Sequence, residues 1–184
     1  MHKSTFMLPA AELETLAQQY RFEDGKARNI GKQIYTYKLG SEYASGGAGC
    51  ISTVEDYIKF LEALRTHKLL KPETLRMMTR DRLTEEQRKT FMAKATHGYG
   101  LGVRCPMGDA RYIDFGWGGA AGAYLAIDMQ NAISIFFGSH LMSSPAQGLR
   151  SKLYRFVRAE LFEPSDIENI YAELNELYNY KLTY

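Results

Sequence analysis

The residues best placed for chemistry are the glycines between Phe115 and Tyr124, four of which fall within the seven residues Gly116 to Gly122. Glycine weakens a strand through its backbone freedom and its missing side chain. A cluster of it therefore marks a bulge, a bend or a place where another group approaches the backbone closely. The alternative is a hairpin turn that needs positive φ angles. The spacing matches neither the dinucleotide-binding fingerprint nor the phosphate-binding loop.

None of the ten serines has the neighbours of a recognised catalytic serine. No serine is followed by lysine three residues later, and the sequence Gly-x-Ser-x-Gly is absent. His140 follows Ser139 directly, but adjacency in the chain does not provide the geometry that proton transfer requires. We therefore predict that these 184 residues contain no nucleophile.

Composition indicates a globular protein without an unusual partner. The formal charge of +2 gives no reason to expect nucleic acid. Cys50 and Cys105 lack metal-ligand spacing and are expected to be buried free thiols, so we predict no metal and no cofactor. No run of 18 apolar residues occurs, and the first residues lack the apolar core of a signal peptide. The chain as written is thus expected to be soluble and not addressed for export.

The first half of the chain predicts a hairpin, a loop and helices. Glu23-Asp24-Gly25-Lys26 carries the Asp-Gly signal of a hairpin turn. A loop rich in glycine and serine runs from Lys38 to Gly49, and Ser52 to Asp56 resembles a capping box at the start of a helix. A second helix is predicted from Pro72 to about Thr79, while Thr84 to Lys89 fits a short helix or a surface loop.

The second half predicts strands and then helices. Apolar residues alternate from Tyr99 to Cys105, as in a half-buried strand. Strands are also predicted over Arg111–Trp117, Ala121–Asp128 and Ala132–Gly138. Two amphipathic helices follow, over Pro145–Phe162 and from Ser165, and the stripe on the second suits core contacts or a partner. The fold class is α/β (α+β), with an antiparallel sheet of about four strands flanked by helices.

Three segments in this order resemble the serine β-lactamase-like family of class C β-lactamases, low-molecular-weight penicillin-binding proteins and related esterases. They are Ser45 to Leu61, Tyr99 to Val103 and Gly116 to Gly122. The resemblance covers about residues 1 to 162 and only the C-terminal half of the family's catalytic domain. It implies the C-terminal part of a beta-lactamase/transpeptidase-like fold. Residues 1–98 would form a partial helical subdomain, and residues 99–184 the strands and C-terminal helices of the same incomplete domain.

The resemblance also implies roles for particular residues. Trp117-Gly118-Gly119 stands where the family's Lys-Thr-Gly element lines the pocket, and this change removes the groups that bind a substrate carboxylate. Ala120 would offer its backbone N–H to the oxyanion, beside the N–H of the absent serine. Gly47, Ala48 and Gly49 would let the loop backbone approach the pocket, although a helix-entry turn explains these glycines equally well. Tyr43 superficially fits a further catalytic element, and we expect no such role for it.

The expected function is therefore the C-terminal portion of a serine hydrolase of the β-lactamase or esterase type. It would provide a pocket wall and one oxyanion donor, and the chain alone would be inactive. The alternative is a non-catalytic binding or structural module that kept the fold. The expected partners are a small-molecule ester or amide, if the N-terminal half completes the site, and a second copy or complementing chain beside the strand Ala132–Gly138. Relatives are often exported or membrane-anchored, which leaves the compartment open.

Overall fold

The computed structural model describes residues 1–31, 33–34, 37–38, 44–47, 49–91, 97–107, 112–145 and 147–181. The chain divides into two compact units, the first made of residues 1–57, 118–123 and 137–184 and the second of residues 58–117 and 124–136. A first group of strands is followed by a group of helices, a second group of strands and the C-terminal helices. Their bounds are a 3-10 helix (Ala10–Thr15), β1 (Gln19–Glu23), β2 (Lys26–Gly31), β3 (Gln33–Ile34), β4 (Tyr37–Lys38), α1 (Val54–Arg65), α2 (Pro72–Thr79), α3 (Glu85–Thr90), β5 (Gly98–Tyr99), β6 (Arg104–Cys105), β7 (Phe115–Gly118), β8 (Tyr124–Asp128), β9 (Ile133–Phe137), β10 (Leu141–Met142), α4 (Gln147–Phe162), a 3-10 helix (Pro164–Asp166) and α5 (Ile167–Lys181).

The first unit contains a three-stranded sheet of order β10-β1-β2. β1 and β2 form the predicted antiparallel hairpin. Asp24 and Gly25 take φ angles of 51° and 74° at its tip, as the twist of a two-residue hairpin turn requires. β1 also pairs in parallel with β10. Met142 is buried where these strands meet, with Leu16 and Ile30 packed against it.

Polar contacts fix the start of α1 to the beginning of the chain. Thr53 Oγ1 caps the helix by accepting a hydrogen bond from the Asp56 N–H at 3.3 Å. The buried carboxylate of Asp56 accepts from the Lys3 N–H at 2.8 Å and from Ser4 Oγ at 3.0 Å. The predicted helix start is therefore correct, and its cap lies one residue after Ser52.

The second unit is built from helices and a five-stranded antiparallel sheet of order β5-β6-β7-β8-β9. Its core forms where the apolar face of α1 meets α2 and the sheet, and burial of each large aliphatic side chain stabilises it by about 1.5–3 kcal/mol. α3 begins with a capping box, in which Thr84 and Gln87 exchange hydrogen bonds. The buried members of the core are Leu61, Leu75, Cys105, Phe115 and Ile127.

The segment predicted as one strand from Tyr99 to Cys105 is instead a hairpin. β5 and β6 pair antiparallel, with Gly98 opposite Cys105 and Tyr99 opposite Arg104. The chain reverses between them because Gly102 takes a φ of +80°, and the Gly100 N–H donates to the Val103 carbonyl at 2.9 Å. Apolar alternation continues through such a turn, so the sequence pattern resembles that of a single strand. The sheet accordingly has five strands where about four were expected.

No helix within the described residues is both long enough and apolar enough to cross a membrane.

Candidate functional site

The candidate site is the turn that joins β7 to β8, which the first unit contains as residues 118–123. The Gly119 N–H donates to the Ala123 carbonyl at 2.8 Å, and the Gly122 N–H donates to the Gly119 carbonyl at 3.1 Å. Ala120 is exposed at the tip of this turn. Among the residues that the structure describes, none accepts a hydrogen bond from the backbone N–H of Ala120 or Ala121. The turn therefore satisfies the hydrogen-bonding groups at its own ends.

Close packing explains the last glycine of the turn. Gly122 takes a φ of +102°, and a Cβ at this position would overlap Ser139 Oγ and lie 3.2 Å from the Leu141 nitrogen. Ser139 Oγ in turn donates to the Gly122 carbonyl at 3.4 Å. Both open interpretations of the glycine cluster thus hold here, because the chain turns with positive φ and also approaches a neighbouring segment closely.

Arg150 on α4 is a functional candidate that the sequence analysis missed. Its Nη1 donates to the Gly119 carbonyl at 2.8 Å. A Cβ added at Gly118 would lie 3.7 Å from Arg150 Nη2, so the guanidinium occupies the space beside this glycine. Burial lowers the pKa of Arg150, but a guanidinium remains protonated at neutral pH. The turn therefore has a cation beside it, although no lysine stands in its own sequence.

Trp117 precedes the turn and belongs to the second unit. Its indole is 37% exposed and meets the ring of Tyr99 edge-on, with the ring centroids 5.5 Å apart. A Cβ added at Gly116 would overlap the Leu125 carbonyl oxygen, so only glycine fits between β7 and β8 at this position. The strand that leads into the turn thus carries one partly exposed aromatic side chain on a closely packed backbone.

A buried charged cluster lies beside β7 in the second unit. Arg104 is paired in register with Gly116, and its guanidinium forms an ion pair with the buried carboxylate of Asp114. The same guanidinium lies 5.8 Å from the ring centroid of Tyr124. Burial alone would lower the pKa of Arg104, but Asp114 outweighs it and the pKa is raised. Burial and the charge of Arg104 lower the pKa of His97, and the Asp114 carboxylate opposes them only in part.

The other predicted pocket segment is a separate turn in the first unit. Gly47 is exposed, Gly49 is buried, and the Gly49 N–H donates to the Ser45 carbonyl at 2.9 Å. Ala48 and Tyr43 lie outside the described residues. This hydrogen bond is typical of a turn, and the chain continues from it towards α1. The roles assigned to Gly47, Ala48 and Gly49 remain predictions.

Hydrogen bonds or burial account for the positions of His140, Ser139 and Cys105. His140 Nδ1 lies 2.6 Å from Gln19 Nε2, and Ser139 Oγ is directed to the Gly122 carbonyl. Burial raises the pKa of the Cys105 thiol to about 11. The prediction of a buried free thiol is correct for Cys105 and wrong for Cys50, which is exposed. No group of three or more His, Cys, Asp or Glu side chains among the described residues is arranged to hold a metal ion.

Solved structures share the fold of this chain. EstCE1, "a hydrolase with promiscuous acyltransferase activity", is 21% identical with a TM-score of 0.61, and 77% of this chain covers 42% of that chain. The LovD6 mutant of simvastatin synthase from Aspergillus terreus is 22% identical with a TM-score of 0.61, and 76% of this chain covers 41% of it. The chain therefore spans about two fifths of the length of these structures. No functionally curated protein is similar enough in sequence to count as a match.

The family comparison covers most of the chain. A model of the beta-lactamase family matches residues 1–160, which include α1, the five-stranded sheet, the turn at Ala120 and most of α4. This range contains all three segments on which the sequence resemblance rests. The chain belongs to the beta-lactamase family.

Proposed function

We propose that this chain supplies the C-terminal part of the catalytic domain of a serine hydrolase or acyltransferase. In the complete site, a serine from an N-terminal half would attack the carbonyl carbon of a small ester or amide. The alcohol or amine would then leave, and water or another acceptor would release the acyl group from the serine. The chain itself would provide a pocket wall and one donor to the oxyanion.

The observation that carries this proposal is the exposed tip of the turn at Ala120. Its N–H lacks an acceptor within the described part of the chain, whereas the N–H groups of Gly119 and Gly122 are bonded. An oxyanion donor must be held in place before the reaction and must be free of a competing acceptor. Arg150 supports the same role, because its bond to the Gly119 carbonyl braces the turn and its charge favours nearby negative charge.

The absence of a recognised nucleophile motif in the sequence limits this proposal to half a site. One oxyanion donor contributes about 10² to 10³ in rate, and most of a serine hydrolase's acceleration comes from covalent attack and proton transfer. We therefore expect the purified chain to be inactive towards a nitrophenyl ester. It should gain activity when mixed with an N-terminal half of a family member that carries Ser-x-x-Lys.

Turnover of nitrophenyl acetate by the mixture tests the proposal. Saturable turnover by the chain alone would contradict the claim that it lacks a nucleophile. Ala120→Pro removes the proposed donor and should lower kcat of the mixture about 10²-fold or more. Ala121→Pro is the matched control, because it removes the neighbouring N–H from the same turn. Equal losses in both variants would contradict the assignment to Ala120.

The proposal also includes a second chain. β9 lies at one end of the five-stranded sheet, and an apolar strand at a sheet edge readily pairs with another chain. We expect a homodimer or a complex with a complementing chain by light scattering at micromolar concentration. A monomer under these conditions, and no complex with the N-terminal half, would contradict this partner. In that case a non-catalytic module that kept the fold becomes the better description.

A further inference from the structure

A partly open cavity lies between α4 and α5, and both helices belong to the first unit. Its volume is about 250 Å³. Side chains of α4 at intervals of three or four residues form one wall, as the side chains of a single helix face do. Two side chains of α5, three residues apart, form the other wall. The six lining residues are Leu149, Lys152, Leu153, Phe156, Tyr171 and Leu174.

Contacts between the two helices hold the cavity in shape. The rings of Phe156 and Tyr171 meet edge-on, with their centroids 5.6 Å apart and an interplanar angle of 84°. Such an arrangement is typical of favourable aromatic pairs. Near the end of α4, Arg158 Nη2 donates to Glu163 Oε1 at 2.9 Å, which fixes the start of the connection to α5. The apolar lining is therefore preformed, and a ligand need not first separate the helices.

Two cations and one carboxylate lie at the edge of the cavity. Arg155 Nη1 and Nη2 donate to the two oxygens of Glu173 at 2.8 and 3.0 Å, and the Lys152 ammonium binds the same carboxylate. These hydrogen bonds lower the pKa of Glu173 to about 2. The three side chains together carry one net positive charge. An ammonium has three donors, and no second acceptor for Lys152 occurs within the described part of the chain.

The wall formed by α5 lies beyond the part of the chain that matches the family. The match ends at residue 160, whereas α5 begins at Ile167. Tyr171, Glu173 and Leu174 thus belong to a helix that follows the matched region. Membership of the beta-lactamase family therefore assigns this cavity no role.

The size and lining of the cavity suit a single flexible apolar chain. A dry cavity of about 150 Å³ holds one benzene molecule, so on the same scale this one holds about ten carbon atoms. Five of the six lining side chains are apolar or aromatic. A charged group on the ligand gains nothing among them and is drawn to the edge of the cavity, where Lys152 supplies charge-assisted hydrogen bonds.

The sign of the charges selects the head group and its source. A cationic head group would be repelled by Lys152 and Arg155, whereas a carboxylate shares the excess positive charge with Glu173. An anionic bilayer surface fits less well than a free molecule. The residues of α5 include Glu168, Glu173 and Glu176 against Lys181 alone, and this helix would be repelled by such a surface.

We propose that the cavity between α4 and α5 binds a free medium-chain fatty acid as its carboxylate. The alkyl chain lies among the apolar side chains, and the carboxylate accepts hydrogen bonds from Lys152. This inference goes beyond the proposed function, because no lining residue belongs to the turn at Ala120. Binding needs no N-terminal half, so a failed complementation assay would leave it standing.

Calorimetric titration of the full chain tests the proposal at ligand concentrations below those at which micelles form. Decanoate should bind saturably, with one site per chain. Octanoate should bind at least about tenfold more weakly, because each methylene contributes about fourfold. Decanol should also bind about tenfold more weakly, because it lacks the charge. Equal binding of decanoate and decanol, or tighter binding of decyltrimethylammonium, would overturn the proposal.

A charge-removing variant tests the assigned head-group contact. Lys152→Gln should weaken decanoate binding about tenfold and leave decanol binding unchanged, while Arg155 keeps its bonds to Glu173. Lys89→Gln is the matched control, because it removes the same charge from an exposed ion pair of the second unit. Equal losses of decanoate binding in the two variants would overturn the proposal.

A cavity-filling variant tests the assigned place of the alkyl chain. Leu149→Trp enlarges a side chain of the cavity wall and should abolish binding of both decanoate and decanol. Leu161→Trp is the control, because Leu161 is an exposed leucine of α4 that does not line the cavity. If Leu149→Trp fails to fold, Leu174→Trp makes the same test from α5. Wild-type affinity in a folded variant of either wall would overturn the proposal.

Two further measurements identify other occupants of the cavity. By light scattering, the oligomeric state should not change with decanoate. A dimer that decanoate or Leu149→Trp dissociates would show that a second copy covers the cavity. Sedimentation with phosphatidylglycerol vesicles should not occur, and sedimentation that Leu149→Trp abolishes would identify a membrane surface. Either of these results would overturn the proposal.

Discussion

The two glycine-rich segments of the chain look alike in sequence and differ in what their glycines do. A Cβ added at Gly46 meets no atom of the described residues within 4 Å, and one added at Gly47 lies 4.0 Å from Ser45 Oγ. The same atom added at Gly116 overlaps the Leu125 carbonyl, and at Gly122 it overlaps Ser139. Among the described residues, packing therefore leaves room for a side chain at Gly46 and Gly47 and excludes one at Gly116, while at Gly122 a positive φ adds to the close contact with Ser139. A glycine count alone does not separate the two cases.

The largest expected effect comes from the buried ion pair of Arg104 with Asp114. Arg104→Met leaves the Asp114 carboxylate buried without its cation, and such a loss typically costs about 3–5 kcal/mol. Urea denaturation measures the change in the free energy of unfolding. Arg28→Met is the control, since the ion pair of Arg28 with Asp24 is exposed and contributes about 0–1 kcal/mol. Equal losses in the two variants would contradict a special role for the buried pair.

Alanine substitutions test the comparison between the glycine segments directly. Gly116→Ala should cost at least about 2 kcal/mol, because a backbone carbonyl cannot move aside as a side chain can. Gly122→Ala should cost about 1–3 kcal/mol through its positive φ, since the Ser139 hydroxyl can rotate away. Gly47→Ala should lie within about 0.5 kcal/mol of the wild type. Thermal and urea unfolding give all three values, and a costly Gly47→Ala would break the comparison.

A smaller effect should follow from the bond between α4 and the turn. Arg150→Ala removes a charge-assisted hydrogen bond to Gly119 and should cost about 1–2 kcal/mol. Faster hydrogen exchange of the Gly119 and Gly122 N–H groups by NMR would show that the turn has loosened. Arg150→Lys restores the charge without the planar guanidinium and should recover only part of the protection. Unchanged exchange in Arg150→Ala would show that the turn is held without this residue.

The smallest expected effect is the contribution of the Asp81 carboxylate, which lies beside Gly98, to the pH dependence of stability. Burial would raise the pKa of Asp81, but the Arg88 guanidinium and the N–H groups of Leu83 and Tyr99 outweigh it and lower the pKa. Stability from this carboxylate is therefore fully present above its ordinary pKa and is lost as the pH falls through the lowered value. Asp81→Asn should flatten the acid limb of the stability curve. An acid limb identical to that of the wild type would contradict the contribution of Asp81.

Local signals predicted much of the fold correctly. The Asp24-Gly25 hairpin and the helix from Pro72 to Thr79 form as expected, because turn and capping preferences act over a few residues. The single strand from Tyr99 to Cys105 was wrong because the φ of Gly102 decides between a strand and a hairpin, and a pattern of apolar residues does not report it. The division of the domain into residues 1–98 and residues 99–184 stays a prediction.

The sequence predicted only those features of the candidate site that lie within the glycine-rich segment itself. The glycine cluster indicated a turn with a close approach, and both are present at Gly122. Arg150 and the pair of Arg104 with Asp114 were missed, because a partner 31 residues away, or a buried ion pair between β6 and the residue before β7, leaves no local pattern. The role of the Ala120 N–H remains a prediction that the complementation assay tests.

The parallel pairing of β1 with β10 has a consequence for how the first unit is made. Tyr20 lies opposite Leu141, so this sheet joins chain segments separated by more than a hundred residues. During synthesis β1 can pair with β2 at once, but its other side has no strand from this sheet until residues 141 and 142 have emerged. Closing so long a loop is entropically costly and makes folding slow. Completion of this sheet should therefore follow formation of the β1–β2 hairpin as a distinct, slower kinetic phase.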